Sequence, residues 1–116
     1  MTQLAQLHLE DLEGLAIAAV EGEIDMSNAT ELEMSISHAV ANDAAGVIVD
    51  LSRVAYLDSS GVTLLFNLAR RVTRRQQRFA VVAPAEAHVS EILALSGATD
   101  ALSLHDSLDD AVRAFA

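Results

Sequence analysis

The sequence predicts an α/β fold: a mixed β-sheet of four to five strands packed by about four helices, in the order ββαβαβαβα. Three observations predict it. Short apolar runs, Leu15–Val20, Val47–Leu51 and Arg78–Ala83, have the length and the valine and isoleucine content of buried strands. Between them lie longer stretches in which apolar residues recur three and four positions apart, as on one face of a helix. The breaks fall on Gly, Asp, Asn and Ser, the residues that turns and helix caps favour. Strands alternating with helices imply a sheet with helices packed against it, and such sheets carry their functional turns at the carboxyl ends of the strands.

Taken in order, Leu4 to Leu9 alternates and reads as a first strand at an edge of the sheet, with Asp11-Leu12-Glu13-Gly14 as a turn. Leu15 to Val20 is nearly all apolar and reads as a strand buried on both faces, closed by Glu21-Gly22-Glu23-Ile24-Asp25. Ser27 or Asn28 caps a helix that runs to about Ala41. Its core stripe is Ala29, Leu32, Ile36, Ala39 and Val40, with Glu31, Glu33 and His38 towards solvent. The strand Val47–Leu51 follows, then a loop that Tyr56 and Leu57 anchor into the core. After the next helix, Arg78 to Ala83 is a strand and Pro84 suits the start of a helix. Val89, Ile92, Leu93 and Ser96 line that helix's inner face, and Gly97 is a natural C-cap. Ala101 to Leu104 is a short strand. Ser107 caps the last helix, with Asp109 and Asp110 in its first turn and Leu108, Ala111, Val112 and Phe115 facing inward. No repeat or domain boundary is visible, so residues 1–116 read as a single domain.

The most informative chemistry lies at Asp58-Ser59-Ser60-Gly61. Either Asp58 or Ser59 can cap the helix that follows, since each side-chain oxygen can accept from a free amide of the first turn. Gly61 would let another chain approach the backbone closely. Val62, Leu64, Leu65, Leu68 and Val72 form the apolar stripe of this helix. Five of the seven arginines (Arg70, Arg71, Arg74, Arg75 and Arg78) lie at or just after its end, where the helix dipole favours cations. An Asp-Ser-Ser-Gly run serves as an ordinary cap, but two hydroxyls at a helix start also offer a phosphoacceptor. A phosphate there adds roughly −1.5 to −2 charges beside Asp58, at a helix end that tolerates an anion. Asp25 and Asp58 both follow strands and are expected on one rim of the sheet.

Gly22-Glu23-Ile24-Asp25 at the end of a strand, the apolar strand Val47–Leu51, and Asp58-Ser59-Ser60-Gly61 opening a helix occur here in one order and spacing. In this the chain resembles the STAS domain family, and more narrowly the bacterial anti-sigma factor antagonists, over nearly all of its length. The resemblance implies a STAS-like sheet. It also implies that Ser59, directly after the aspartate, is phosphorylated by a partner that is both serine kinase and anti-sigma factor, with a histidine-kinase-like ATPase fold. A phosphoserine phosphatase would restore the free hydroxyl. Asp25, Asp58, Ser59, Ser60 and Gly61 would belong to the partner-binding surface.

Composition limits the alternatives. The chain is 52% hydrophobic with no cysteine, no lysine and a formal net charge of −10. Such a charge repels nucleic acid; it serves solubility first, and it would also suit a partner with a basic or mixed face. No apolar run approaches the ~20 residues of a membrane span, and MTQLAQLHLED is not a signal peptide, so a cytoplasmic protein is expected. His8, His38, His88 and His105 stand singly, without metal-ligand spacing, so no metal is expected. Asp58-Ser59-Ser60-Gly61 is not a G-x-S-x-G nucleophile turn, and no Gly-rich nucleotide cradle is present. The chain therefore reads as a kinase substrate rather than a kinase or other enzyme, with no cofactor. The rival reading is a non-switching STAS docking subunit of a stressosome-like scaffold or a lipid-transport ATPase complex.

Overall fold

The computed structural model describes residues 4–97 and 101–115. The elements are β1 (Ala5–Leu12), β2 (Leu15–Ile24), α1 (Ala29–Ala39), β3 (Gly46–Leu57), α2 (Ser59–Arg74), β4 (Arg78–Val82), α3 (His88–Leu95), β5 (Leu104–His105) and α4 (Leu108–Ala114). They form a mixed five-stranded sheet in the order β1-β2-β3-β4-β5. β1 is antiparallel to β2, and every later pairing is parallel. The expected order of strands and helices is thus the observed one.

This order places the helices. Parallel neighbours joined in sequence by crossovers of one hand carry their connecting helices on the same face. Val47, Val49 and Leu51 of β3 accordingly share one core with Ile36 of α1, Leu65 and Leu68 of α2, and Val89 and Leu93 of α3. α4 follows the last strand and closes no crossover, so it is free to cover the other face. There Ala111 packs with Ile17, Ile48, Ala80 and Val82. The three central strands are therefore apolar on both faces, as near-continuous valine and isoleucine runs require. Each fully buried side chain of this kind contributes roughly 1.5–3 kcal/mol.

The main departure from expectation is at β3, which continues through the stretch expected to be a loop. Its pairing with β2 slips twice, between Ala19 and Glu21 and between Gly22 and Glu23, and each slip adds a residue on β3. These bulges leave Ser52 and Arg53, then Ala55 and Tyr56, exposed as consecutive pairs. Period-two alternation is broken there, so the stretch does not read as strand. The first bulge is held by Asp50, which accepts from the amide and hydroxyl of Ser52 at 2.9 and 2.5 Å. Leu57 is buried as expected, but Tyr56 is 44% exposed and anchors nothing.

Smaller differences have similar local causes. β1 runs on to Leu12, and Asp11 closes a shorter turn by accepting from the Gly14 amide at 3.1 Å. β2 extends to Ile24. α1 ends at Ala39, an exposed residue rather than part of the core stripe, while Ser37 is buried instead. α3 begins four residues after Pro84, with Ala87 at its N-cap. Ser96 is exposed there, its hydroxyl donating back to the Ile92 carbonyl at 2.9 Å. Ala101 belongs to a turn, and β5 is only Leu104–His105. Ser107 caps α4 as expected, accepting from the Asp110 amide at 3.2 Å.

Candidate functional site

Asp25 and Asp58 do lie on one rim. The last paired residues of β2 and β3 are Ile24 and Leu57, so both aspartates leave the sheet side by side. The Asp58 amide donates to the Ile24 carbonyl at 3.2 Å, which ties the two strand ends together.

The turn after β2 is built by short-range bonds from Gly22 to Asn28. Gly22 has φ +111, a region that side chains rarely adopt, and a Cβ there would strike the Leu4 carbonyl. Its place in the Gly-Glu-Ile-Asp run is thus structural: it lets β1 approach while Ile24 turns inward. Asn28 then grips the turn, its Nδ2 donating to the Glu23 carbonyl at 2.9 Å and its Oδ1 accepting from the Asp25 amide at 3.1 Å. Asn28 holds the N-cap position of α1 but makes no capping bond with its side chain. The Asp25 carboxylate accepts from the hydroxyl and amide of Ser27 at 2.5 and 2.8 Å. These bonds favour its charged form and hold its carboxyl below the ordinary 3.8, the hydroxyl contributing most.

At α2 the structure decides which residue caps. Asp58 has extended backbone, and its carboxylate accepts from the amides of Ser60 at 2.8 Å and Gly61 at 3.3 Å. Ser59, the first helical residue, is therefore not needed as a cap. Its side chain is exposed, whereas Ser60 and Asp58 are half-buried. Gly61 is buried, and within the chain it is approached by side chains of the two strand ends. A Cβ there would fall on the side chain of Leu57 and meet Ile24 Cγ2 at 3.2 Å. Its role in the fold is to let the first turn of α2 sit down on the strand ends.

Other residues near this rim were not legible in advance. Met26 is 83% exposed between Asp25 and Ser27, and Tyr56, two residues before Asp58, is 44% exposed. A lone methionine in a polar turn was the available signal. Glu33, expected to face solvent, instead joins α1 to α2: it accepts from Asn67 Nδ2 at 3.1 Å and from the Arg71 guanidinium at 3.2 Å. Among the described residues no cluster of three or more His, Asp or Glu is placed to hold a metal ion, and no helix is long and apolar enough to cross a membrane.

The STAS domain family model matches residues 6–111. BtrV of Bordetella bronchiseptica, named as an anti-sigma factor antagonist, is 27% identical over 110 residues, which cover 95% of this chain and 94% of that protein. The crystal structure of an anti-sigma factor antagonist from Mycobacterium paratuberculosis aligns with a TM-score of 0.86 at 32% identity, over 96% of this chain and 93% of that one. The Bacillus protein SpoIIAA has been solved unphosphorylated and phosphorylated. Its unphosphorylated form shares the fold at a TM-score of 0.75 and 23% identity, over 92% of this chain and 93% of its own. The phosphorylated form gives 0.70 and 20%, over 96% of this chain and 100% of its own. With its Gly-Glu-Ile-Asp turn and its Asp-Ser-Ser-Gly helix start on one rim of a mixed sheet, the chain belongs to the STAS domain family, in the company of proteins named as anti-sigma factor antagonists.

Proposed function

We propose that this protein is an anti-sigma factor antagonist, a binding module rather than an enzyme, acting in the bacterial cytoplasm as a single STAS domain. Unphosphorylated, it binds an anti-sigma factor that is also a serine kinase of histidine-kinase-like ATPase fold, and so frees the sigma factor. Phosphorylation of Ser59 releases the partner, and a phosphoserine phosphatase resets the switch. The observation that carries this reading is the division of labour at α2: Asp58 caps the helix, and Ser59 keeps an exposed side chain directly beside it. Asp25, Asp58 and Ser60 complete the partner-facing rim, and Gly61 supports it from beneath.

The chemistry favours release over unfolding. A dianion at a helix N-terminus is tolerated by the amides and dipole of the first turn. The same dianion facing Asp58 and a closing interface is opposed by like charge and by desolvation. Moving binding from 1:99 to 99:1 needs a bias of ~5.5 kcal/mol, all of it expressed at the interface.

Affinity capture from the native cell extract tests this, with the native chain, Ser59→Ala and Ser59→Asp as baits. An ATPase-type anti-sigma kinase held by the first two and lost by the third is the expected result. If all three hold the same scaffold or transporter subunits, Ser59 is a plain helix residue and the protein is a docking subunit.

A further inference from the structure

The solvent face of α2 runs against the charge of the molecule. Its inner face is Gly61, Leu64, Leu65, Leu68 and Val72. Opposite these, Ser59, Thr63, Phe66, Arg70, Thr73 and Arg74 are all exposed. At about 100° per residue they fall on one stripe, about 22 Å long. In a chain of net charge −10, α2 contains no carboxylate from Ser59 to Arg74, yet it carries Arg70, Arg71 and Arg74.

The helix dipole accounts for Arg71 and Arg74 in the last turn, but its effect falls off before Arg70. Arg71 is also engaged, pairing with Glu33 at 3.2 Å. Arg70 meets only the neutral Asn67 oxygen, at 2.5 Å, and neither Arg70 nor Arg74 has a carboxylate partner among the described residues. Four residues apart on one helix face, these two guanidinium groups repel each other. Open grooves flank the ridge they make. One, of 520 Å³, is completed by Glu33, Asn67 and Arg71. The other, of 510 Å³, is floored by Phe66, Ala69 and Thr73.

We propose that this stripe docks an acidic segment of a partner protein, with carboxylates on Arg70 and Arg74 and one apolar side chain seated against Phe66. The guanidinium fork matches a carboxylate in two parallel bonds, so paired carboxylates would relieve the repulsion along the ridge. A short acidic segment spans these arginines, and the one carboxylate that lines the grooves, Glu33, is already paired with Arg71. A nucleic acid strand would run on into the surrounding negative field, and Phe66 is a single aromatic rather than a stacking platform. The stripe ends on Ser59, but docking on Phe66, Arg70 and Arg74 requires no phosphorylation there.

The test follows amide chemical shifts of the isotope-labelled full chain during titration with a short glutamate-rich peptide containing one central leucine. Shifts confined to Phe66, Arg70, Thr73, Arg74 and their neighbours are expected. The double variant Arg70→Gln/Arg74→Gln should bind about tenfold more weakly, as loss of two exposed ion pairs predicts, and Arg113→Gln should bind like the native chain. A peptide with serine in place of the leucine should also bind more weakly. The proposal is overturned by the absence of binding, by shifts spread equally over Arg53 and Arg113, or by undiminished binding of the double variant. Tighter binding of a single-stranded oligonucleotide would overturn it in favour of nucleic acid.

Discussion

Replacing Gly61 by alanine adds one methyl group in the first turn of α2. In an open helix this change stabilises by up to about 1 kcal/mol, because glycine loses the most backbone freedom on folding. At Gly61 the methyl group has nowhere to go. It would sit 2.7 Å from Leu57 Cγ, nearer still to one of that residue's methyls, and 3.2 Å from Ile24 Cγ2. Leu57 and Ile24 are each 1% exposed, so neither side chain can swing aside. Overpacking costs about 1–3 kcal/mol, and contact with the branch point of a fully buried leucine places this site in the upper part of that range. Packing therefore outweighs propensity, and Gly61→Ala should destabilise by about 1–2 kcal/mol. Urea unfolding reads this as a midpoint lowered by about 0.5–1 M at unchanged slope. The double variant Gly61→Ala/Leu57→Ala sharpens the test. With the leucine branch removed, the alanine should be neutral or stabilising, giving a coupling of about 2 kcal/mol between the sites. A Gly61→Ala protein as stable as the native chain, with no coupling to Leu57, would refute the reasoning.

The bonds at the rim make two further expectations. Asp58→Ala removes the acceptor for two amides of α2 and should cost about 1 kcal/mol in unfolding free energy, whereas Asp58→Asn keeps most of it; equal loss from both would show that the carboxylate does not cap. Asp25 is held below 3.8 by Ser27, so its charged form is the one the fold favours. A depressed carboxyl pKa stabilises above the unfolded value, and that contribution is lost as pH falls from about 3.8 through the folded value. Ser27→Ala should raise the Asp25 pKa towards 3.8, as followed by its carboxyl shift in NMR, and an unmoved titration would exclude the serine as the cause.

The sequence made the layers of this fold legible because its three central strands and four helices differ in period and length. It also placed both aspartates on one rim, since each directly follows a strand. What it hid are features in which backbone geometry overrides pattern. The two bulges in β3 put exposed residues next to each other and disguised six residues of strand as loop. The burial of Gly61 depends on Leu57 and Ile24 coming from two different strands, a contact that no local spacing encodes. Glu33 looked like a solvated helix residue because Asn67 and Arg71, its partners, lie more than thirty positions away. Asp58 and Ser59 were equal candidates for the cap, and they are separated by the extended backbone of Asp58, one residue before the helix, and by the two amides its carboxylate accepts from.

That last distinction bears on how a switch at Ser59 would work. Were Ser59 the cap, modifying it would take a bond from α2, and losing that bond would cost about 1 kcal/mol of the fold itself. With Asp58 as the cap, modification of Ser59 removes no capping bond from the helix. The stability of Ser59→Ala therefore separates the two arrangements without any partner in the experiment. The structure expects an unfolding free energy, read from urea titration, unchanged to within about 0.5 kcal/mol, the usual range for an exposed surface substitution. A loss of about 1 kcal/mol, with Asp58→Ala tolerated, would assign the cap to Ser59. Phosphorylation would then act on the helix as well as on the surface. On the arrangement seen here, the full bias of a switch must come from what faces Ser59 across an interface.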